Sequence, residues 1–157
     1  MYDDTIELLN HVKDLKKYNF EKKYQFLFKL HPTMDDNIIH KEIITSSNKN
    51  YFLTKKNIKD LLIEVDFVIS SKSIVCLEAL SLGIPTLVFV KQNLINFNPI
   101  PSEIEKILWK DFNNSDELYK HLVYFEKRDN NKMISDIKLA KEIKERYFEK
   151  INKQNVE

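Results

Sequence analysis

The spacing of apolar residues along the chain changes several times, and each change marks an element. Ile6, Leu8, Leu9, Val12 and Leu15 recur at three- and four-residue intervals, which predicts an amphipathic helix over about residues 4–18. Tyr24 to Leu30, YQFLFKL, predicts a strand. His31-Pro32 ends it, because proline restricts the residue before it and cannot donate to a sheet ladder. Asp35 and Asp36 are candidate N-terminal caps for a short helical pattern at Ile38, Ile39, Glu42 and Ile43. Tyr51 to Thr54 predicts a second strand. Ile58, Leu61, Leu62 and Val65 then form an i, i+3, i+4, i+7 helix that leads into DFVIS, Asp66 to Ser70, an apolar run of buried-strand length.

From Ser73 to Leu82 the apolar positions occupy more than one face, as expected of a helix packed deep against a sheet. Gly83, the lone glycine, is its C-terminal stop, and Pro85 opens the next apolar strand, Thr86 to Val90. A polar loop containing Pro99 and Pro101 follows Lys91, and the capping-box spacing of Ser102 and Glu105 predicts the start of a short helix. Two more helices are predicted. One runs from Asp116 to Lys127 with Leu118, Leu122 and Phe125 inward, and one spans about residues 131–152 with Met133, Ile137, Ala140, Ile143, Tyr147 and Ile151 in a stripe.

Buried strands alternating with helices predict an α/β fold, a Rossmann-like parallel sheet with helices on both faces. A doubly wound sheet usually opens on a strand, whereas this chain opens on a helix. The sheet is therefore expected to lack its first strand, either because it begins unusually or because the chain is a piece of a larger protein.

Composition narrows the picture. At 157 residues and 43% hydrophobic content, a single domain is expected. The 25 basic and 24 acidic side chains nearly cancel, so no whole-protein field gathers nucleic acid, and partners must be selected locally. Cys76 is the only cysteine, which excludes an intrachain disulfide and a cysteine-rich metal site and suggests a reducing, cytoplasmic setting. MYDDTIELL has no basic start and apolar core of a secretion signal, and no run of about 18 apolar residues occurs. One glycine excludes the GxGxxG and Walker phosphate loops, and neither GxSxG nor HExxH is present.

The chemistry is expected where open parallel sheets bind ligands, at the carboxyl ends of strands. Two loops qualify: Leu30-His31-Pro32-Thr33 and Ser70-Ser71-Lys72-Ser73. The second offers three hydroxyls, the N–H groups of a following helix and the Lys72 ammonium, a cradle for phosphate oxygens. The alternative is that the serines only cap the turn and helix. His31 can carry a proton to a leaving phosphate or simply occupy a turn. Glu78, inside a helix with buried neighbours, must be paired, aimed at a ligand such as ribose hydroxyls, or directed to solvent. His11, His40 and His121 lie on predicted helices without ligand spacing and read as surface residues.

KLHP, Lys29 to Pro32, followed by DFVISSKSIVCLEALSLGIPTLVF, Asp66 to Phe89, resembles the C-terminal donor-binding domain of GT-B glycosyltransferases. The nearest likeness is to bacterial surface-polysaccharide enzymes, the capsule sialyl- and Kdo-transferases and the CDP-glycerol glycerophosphotransferases. The likeness is specific over about residues 24–90 and architectural beyond. It implies that His31 hydrogen-bonds the donor phosphate and stabilises the departing nucleotide. It further implies that Ser70, Ser71 and Ser73 hold phosphate oxygens, that Glu78 binds ribose, and that Gly83 belongs to a Gly-x-Pro turn of the site. The implied partner is a CMP-, CDP- or UDP-linked sugar or glycerol donor, which is substrate; no separate cofactor is implied. The family's N-terminal acceptor domain, which usually carries the catalytic base, is expected from another segment or a partner subunit, with peripheral membrane association of the full enzyme. Thr33 stands where a basic residue often follows His-Pro, a departure from the sialyltransferase pattern. Two alternatives remain open: a UDP-N-acetylglucosamine 2-epimerase-like domain, whose glycine-rich turns are lacking here, and a noncatalytic module supporting a partner subunit.

Overall fold

The computed structural model describes residues 2–31, 37, 41, 43, 49–91 and 98–149. The fold is α/β, with two small parallel sheets flanked by helices, as in a Rossmann-like fold that lacks a strand. The chain forms two compact units, Met1–Asp60 and Leu61–Glu157.

In the first unit, helix α1 (Tyr2–Lys13) tightens into 3-10 turns at Asp14–Tyr18 and Phe20–Lys22, with Asn19 between them at φ 52°. Strands β1 (Phe26–Phe28) and β2 (Tyr51–Leu53) pair in parallel, Phe26 opposite Tyr51. The Tyr51 hydroxyl donates to the Val12 carbonyl at 3.3 Å, and its ring meets Phe26 and Phe28 edge-on at 5.3 and 5.4 Å. One aromatic side chain thus joins sheet to helix over the core of Leu9, Val12, Leu15 and Phe20. Asn37, Lys41 and Ile43 are helical, in keeping with the helix expected between the strands. The rest of that helix, its expected caps Asp35 and Asp36, and Pro32 and Thr33 lie outside the described residues.

Helix α2 (Ile58–Leu62) ends one turn earlier than its apolar spacing suggests and leads to the second unit's sheet. That sheet has the order β3-β4-β5, all parallel: β3 (Val68–Ser70), β4 (Thr86–Phe89) and β5 (Trp109–Phe112). Helix α3 (Val75–Ser81) connects β3 to β4, and α4 (Ser115–Glu126) and α5 (Asn130–Lys144) follow β5, with a π turn at Glu145–Glu149. All four residues of β4 are buried. Val88 packs with Cys76, Leu77, Leu80, Trp109 and Ile143, while Phe89, on the opposite face by strand alternation, meets Phe112 at 5.7 Å.

Two expectations are corrected here. Ser102 and Glu105 do not start a helix; Ile104 N–H bonds to Pro101 O at 3.0 Å and Ile107 N–H to Glu105 O at 2.8 Å, so the segment is a run of turns. Those turns bring in β5, which the apolar pattern does not announce, because Lys110 and Asp111 stand between its two buried aromatic ends.

The stripe expected on the last helix is also corrected. Met133 and Ile137 are exposed, and the inward face is instead Asp136, Leu139, Ala140, Ile143 and Tyr147. The rotation follows from an ion pair. Arg128, in the link between α4 and α5, pairs with Asp136, and both side chains are about nine-tenths buried or more, at 6% and 10% exposure. The Arg128 Nη2 also donates to the Ile107 carbonyl at 3.1 Å, and the guanidinium lies 5.0 Å from the Phe125 ring centre. One cation therefore holds α4, α5 and the turn before β5 together. Burial raises the Asp136 carboxyl above its ordinary pKa, against the pull of Arg128. Removing one member leaves the other as a buried, unpaired charge, so Arg128→Ala is expected to destabilise the fold by about 3–5 kcal/mol, read from urea unfolding. A loss under about 1 kcal/mol would mean that the pair does not hold the helices.

Gly83 closes α3 at φ 77°. Its N–H bonds to Leu80 O and Ile84 N–H to Ala79 O, both at 3.0 Å, the 5→2 and 6→1 bonds of a Schellman motif. A Cβ at this position would meet Ala140 Cβ at 3.8 Å, which is ordinary contact, so the conformation alone requires glycine. Gly83→Ala is expected to cost about 1 kcal/mol, seen as a lower denaturant midpoint with an unchanged slope.

Candidate functional site

The carboxyl end of the three-stranded sheet carries the loop from Ser71 to Ile74. Its conformation is held from within. Ser73 Oγ accepts from Val75 N–H at 3.3 Å, and Ser73 O accepts from Cys76 N–H at 3.1 Å, which starts α3 with a hydroxyl-capped turn. Ser70, at the last position of β3, stands beside the Cys76 thiol and lowers its pKa, against the larger effect of burial. Of the flanking serines Ser70 and Ser73, the latter therefore also serves the fold. Ser71, half-buried between them, has no side-chain partner among the described residues, and Lys72 beside it is exposed.

Glu78 lies one turn into α3, half-buried, with Cys76, Leu77, Ala79 and Leu80 buried around it. Its backbone carbonyl accepts from Ser81 Oγ at 2.7 Å, but its carboxylate has no hydrogen bond or ion pair among the described residues. It shares a helix face with Ile74, four residues earlier and 59% exposed. This apolar side chain next to the serine loop was not singled out from sequence. Within an unbroken apolar stretch, nothing local marks which member is left outside. Gly83 lies at the far end of α3 from the loop, and its observed role is to stop that helix.

His31 is exposed, three residues beyond the end of β1, in the first unit, whereas Ser70, Ser71, Ser73, Glu78 and Gly83 belong to the second. The carboxyl-end position expected for each loop is therefore observed on its own sheet.

At the same end of the second sheet, Asn114 Oδ1 caps α4 by accepting from Glu117 N–H at 2.9 Å, and Asn113 N–H donates to Glu117 Oε2 at 3.0 Å. His121, expected on the surface, is half-buried, with Lys110, Asp111 and Glu117 near its ring. Burial first, and then the Lys110 charge, lower its pKa. Leu108 and Phe112 direct their backbone groups to β4, so Asp111 and Asn113 face the outer edge of β5. Glu117 is thus a side-chain cover for a sheet edge. No group of three or more His, Cys, Asp or Glu side chains suited to a metal ion occurs among the described residues, and none of their helices is long and apolar enough to cross a membrane.

Cys76 is fully buried behind the loop, and burial raises its thiol from 9.0 to about 11. A folded state that binds this proton more tightly than the unfolded chain has its full stability below pH 9.0 and loses it as pH rises through about 11. Two consequences are expected. Iodoacetamide at neutral pH modifies Cys76 only as fast as the protein opens, and the stability advantage of the protein over Cys76→Ala shrinks by roughly 2–3 kcal/mol between neutral and strongly alkaline pH. Rapid alkylation of the folded protein would contradict both. Comparison of the chain with protein-family models, curated proteins and solved structures gives no match.

Proposed function

We propose that the second unit binds the phosphate of a nucleotide-activated sugar or glycerol at Ser71-Lys72-Ser73. On this reading the chain is the donor half of a glycosyltransferase of the GT-B kind acting in bacterial surface-polysaccharide synthesis, in the cytoplasm. The observation that carries the proposal is the β3–loop–α3 turn. It stands at the carboxyl end of a parallel sheet, with a half-buried Ser71 hydroxyl that the protein itself leaves without a partner among the described residues.

The chemistry is donor holding rather than bond cleavage by this loop. The hydroxyl of Ser71 and the ammonium of Lys72 donate to phosphate oxygens, and Ser73 can still donate its hydroxyl proton while accepting from Val75 N–H. Glu78 has an open carboxylate for ribose hydroxyls, and Ile74 offers apolar surface beside it. As the bond to the transferred group breaks, charge accumulates on the leaving phosphate, and a nearby cation or proton donor stabilises it. His31 takes that role in the resemblance and is tested separately. The acceptor and the catalytic base come from an acceptor-binding domain or a partner subunit. Two or three charge-assisted hydrogen bonds support roughly 4 kcal/mol of net binding, a dissociation constant near 1 mM.

A second reading, a noncatalytic α/β module supporting a partner subunit, is favoured by one observation: the Ser73 hydroxyl accepts from Val75 N–H, a hydrogen bond that the fold itself uses.

Titration with CMP, CDP and UDP, followed by NMR, decides between them. Donor binding predicts saturable shifts in the Ser71–Ile74 amides for at least one nucleotide, with about tenfold weaker binding in Ser71→Ala and a separate loss in His31→Ala. Absence of binding by all three nucleotides leaves the noncatalytic module. Release of UDP during isomerisation of UDP-N-acetylglucosamine would instead identify epimerase chemistry.

A further inference from the structure

Tyr124, on the last turn of α4, is 39% exposed and stands among cations. Lys110 of β5 and Lys132 of α5 both reach it, with ammonium groups 5.4 and 5.5 Å from the ring centre, so the two lie less than 11 Å apart. Lys120 and Lys127, four residues before it and three after, are exposed on the same side of α4. None of these four lysines has a carboxylate partner among the described residues. The neighbouring carboxylates are engaged elsewhere: Asp111 accepts from Lys106 Nζ through both oxygens, at 2.9 and 2.7 Å, and Asp129 caps α5 by accepting from Lys132 N–H at 2.9 Å. The Tyr124 hydroxyl has no hydrogen-bond partner among the described residues. Folding accounts for part of this patch. Lysines on an edge strand discourage strand addition, and cations near a helix C-terminus offset its dipole. Neither effect accounts for two ammoniums drawn to one ring, where each is attracted by the π-face and repelled by the other.

We propose that Tyr124, Lys110 and Lys132 form a binding site for a diphosphate group, with Lys120 and Lys127 at its rim. Ammoniums and a phenolic O–H can all donate, so the site calls for a ligand with several anionic oxygens. Two separated cations are matched by two linked phosphates, each meeting one ammonium while the hydroxyl donates to an oxygen of either. Lysine is a point charge without the planar fork of arginine, which suits phosphate charge better than the flat geometry of a carboxylate. The ammoniums over the ring also leave it poorly placed for a base to stack on, which disfavours single-stranded nucleic acid. The site is separate from the Ser71 loop: that loop follows β3, Lys110 is on β5, and β4 lies between them. The inference therefore stands whether or not the serine loop holds a nucleotide.

NMR titration of the full chain with inorganic pyrophosphate tests it, with inorganic phosphate and sodium chloride at matched ionic strength alongside. Saturable shifts are expected at the Lys110, Tyr124 and Lys132 amides, with pyrophosphate bound about tenfold tighter than phosphate because the second phosphate adds a charge-assisted hydrogen bond. The double variant Lys110→Ala with Lys132→Ala should weaken pyrophosphate at least about tenfold, and Tyr124→Phe, which keeps the ring, about tenfold, each with an unchanged spectrum elsewhere. Ser71→Ala should leave this binding as it is. UDP separates the two sources of a diphosphate: binding at these amides no tighter than pyrophosphate supports recognition of the diphosphate alone, and tighter binding supports a nucleoside diphosphate. Absence of saturable shifts overturns the proposal, as do equal shifts with sodium chloride, which would be screening. Pyrophosphate binding that survives the double lysine replacement overturns it as well. Shifts at these amides with an oligothymidylate, where pyrophosphate gives none, would overturn it and assign the patch to nucleic acid.

Discussion

Strand β4 must be covered on both faces and bonded along both edges, and the second unit is arranged to meet that requirement. Thr86, Leu87, Val88 and Phe89 are all buried, so the strand has no solvent-facing side to tolerate a polar residue. Its register sets Thr86 against Val68 on one side and Trp109 on the other. Thr86, the one polar member, directs its hydroxyl to the Ile84 carbonyl at 3.1 Å and thereby brings no unsatisfied group into the core. The Gly83 turn matters for the same reason. It stops α3 and reverses the chain in the few residues available before β4 begins.

Polar side chains also fix the periphery of the unit. Glu117 covers the outer edge of β5, and Arg128 holds Asp136, the Ile107 carbonyl and the Phe125 ring at the junction of α4 and α5. Buried charge of this kind is costly to bring out of water, and its return is orientation more than stability. Here the orientation is visible: Asp136 faces inward where an apolar residue would be expected, and the helix presents Met133 and Ile137 to solvent. The candidate phosphate loop is built in a similar way. Ser73 positions the turn, and Ser71 has no side-chain partner among the described residues.

Much of the fold was legible in the sequence wherever burial is strong and local. The strand from Thr86, the helix behind the serine loop, the Gly83 stop and the helix with Leu118, Leu122 and Phe125 inward all carry apolar periodicity that matches their surroundings. The position of Ser70, Ser71 and Ser73 at the end of a strand was legible for the same reason. The exposure of Ile74 and the inward turn of His121 were not, because each depends on what lies across from it.

What the sequence determined by itself was the alternation of strands and helices from β3 through β4, the parallel α/β class, and the absence of a glycine-rich phosphate loop or a cysteine-rich site. These follow from residue type and short-range spacing. Only the tertiary structure decided that Trp109 to Phe112 is a strand, that the segment around Ser102 is a set of turns, and that the last helix buries Asp136 in place of Met133 and Ile137. The physical reason is common to all three. A charged residue is recognised as a core or sheet residue only once its partner is in place, and Arg128, Lys106 and the neighbouring strand β4 are brought to Asp136, Asp111 and β5 by folding.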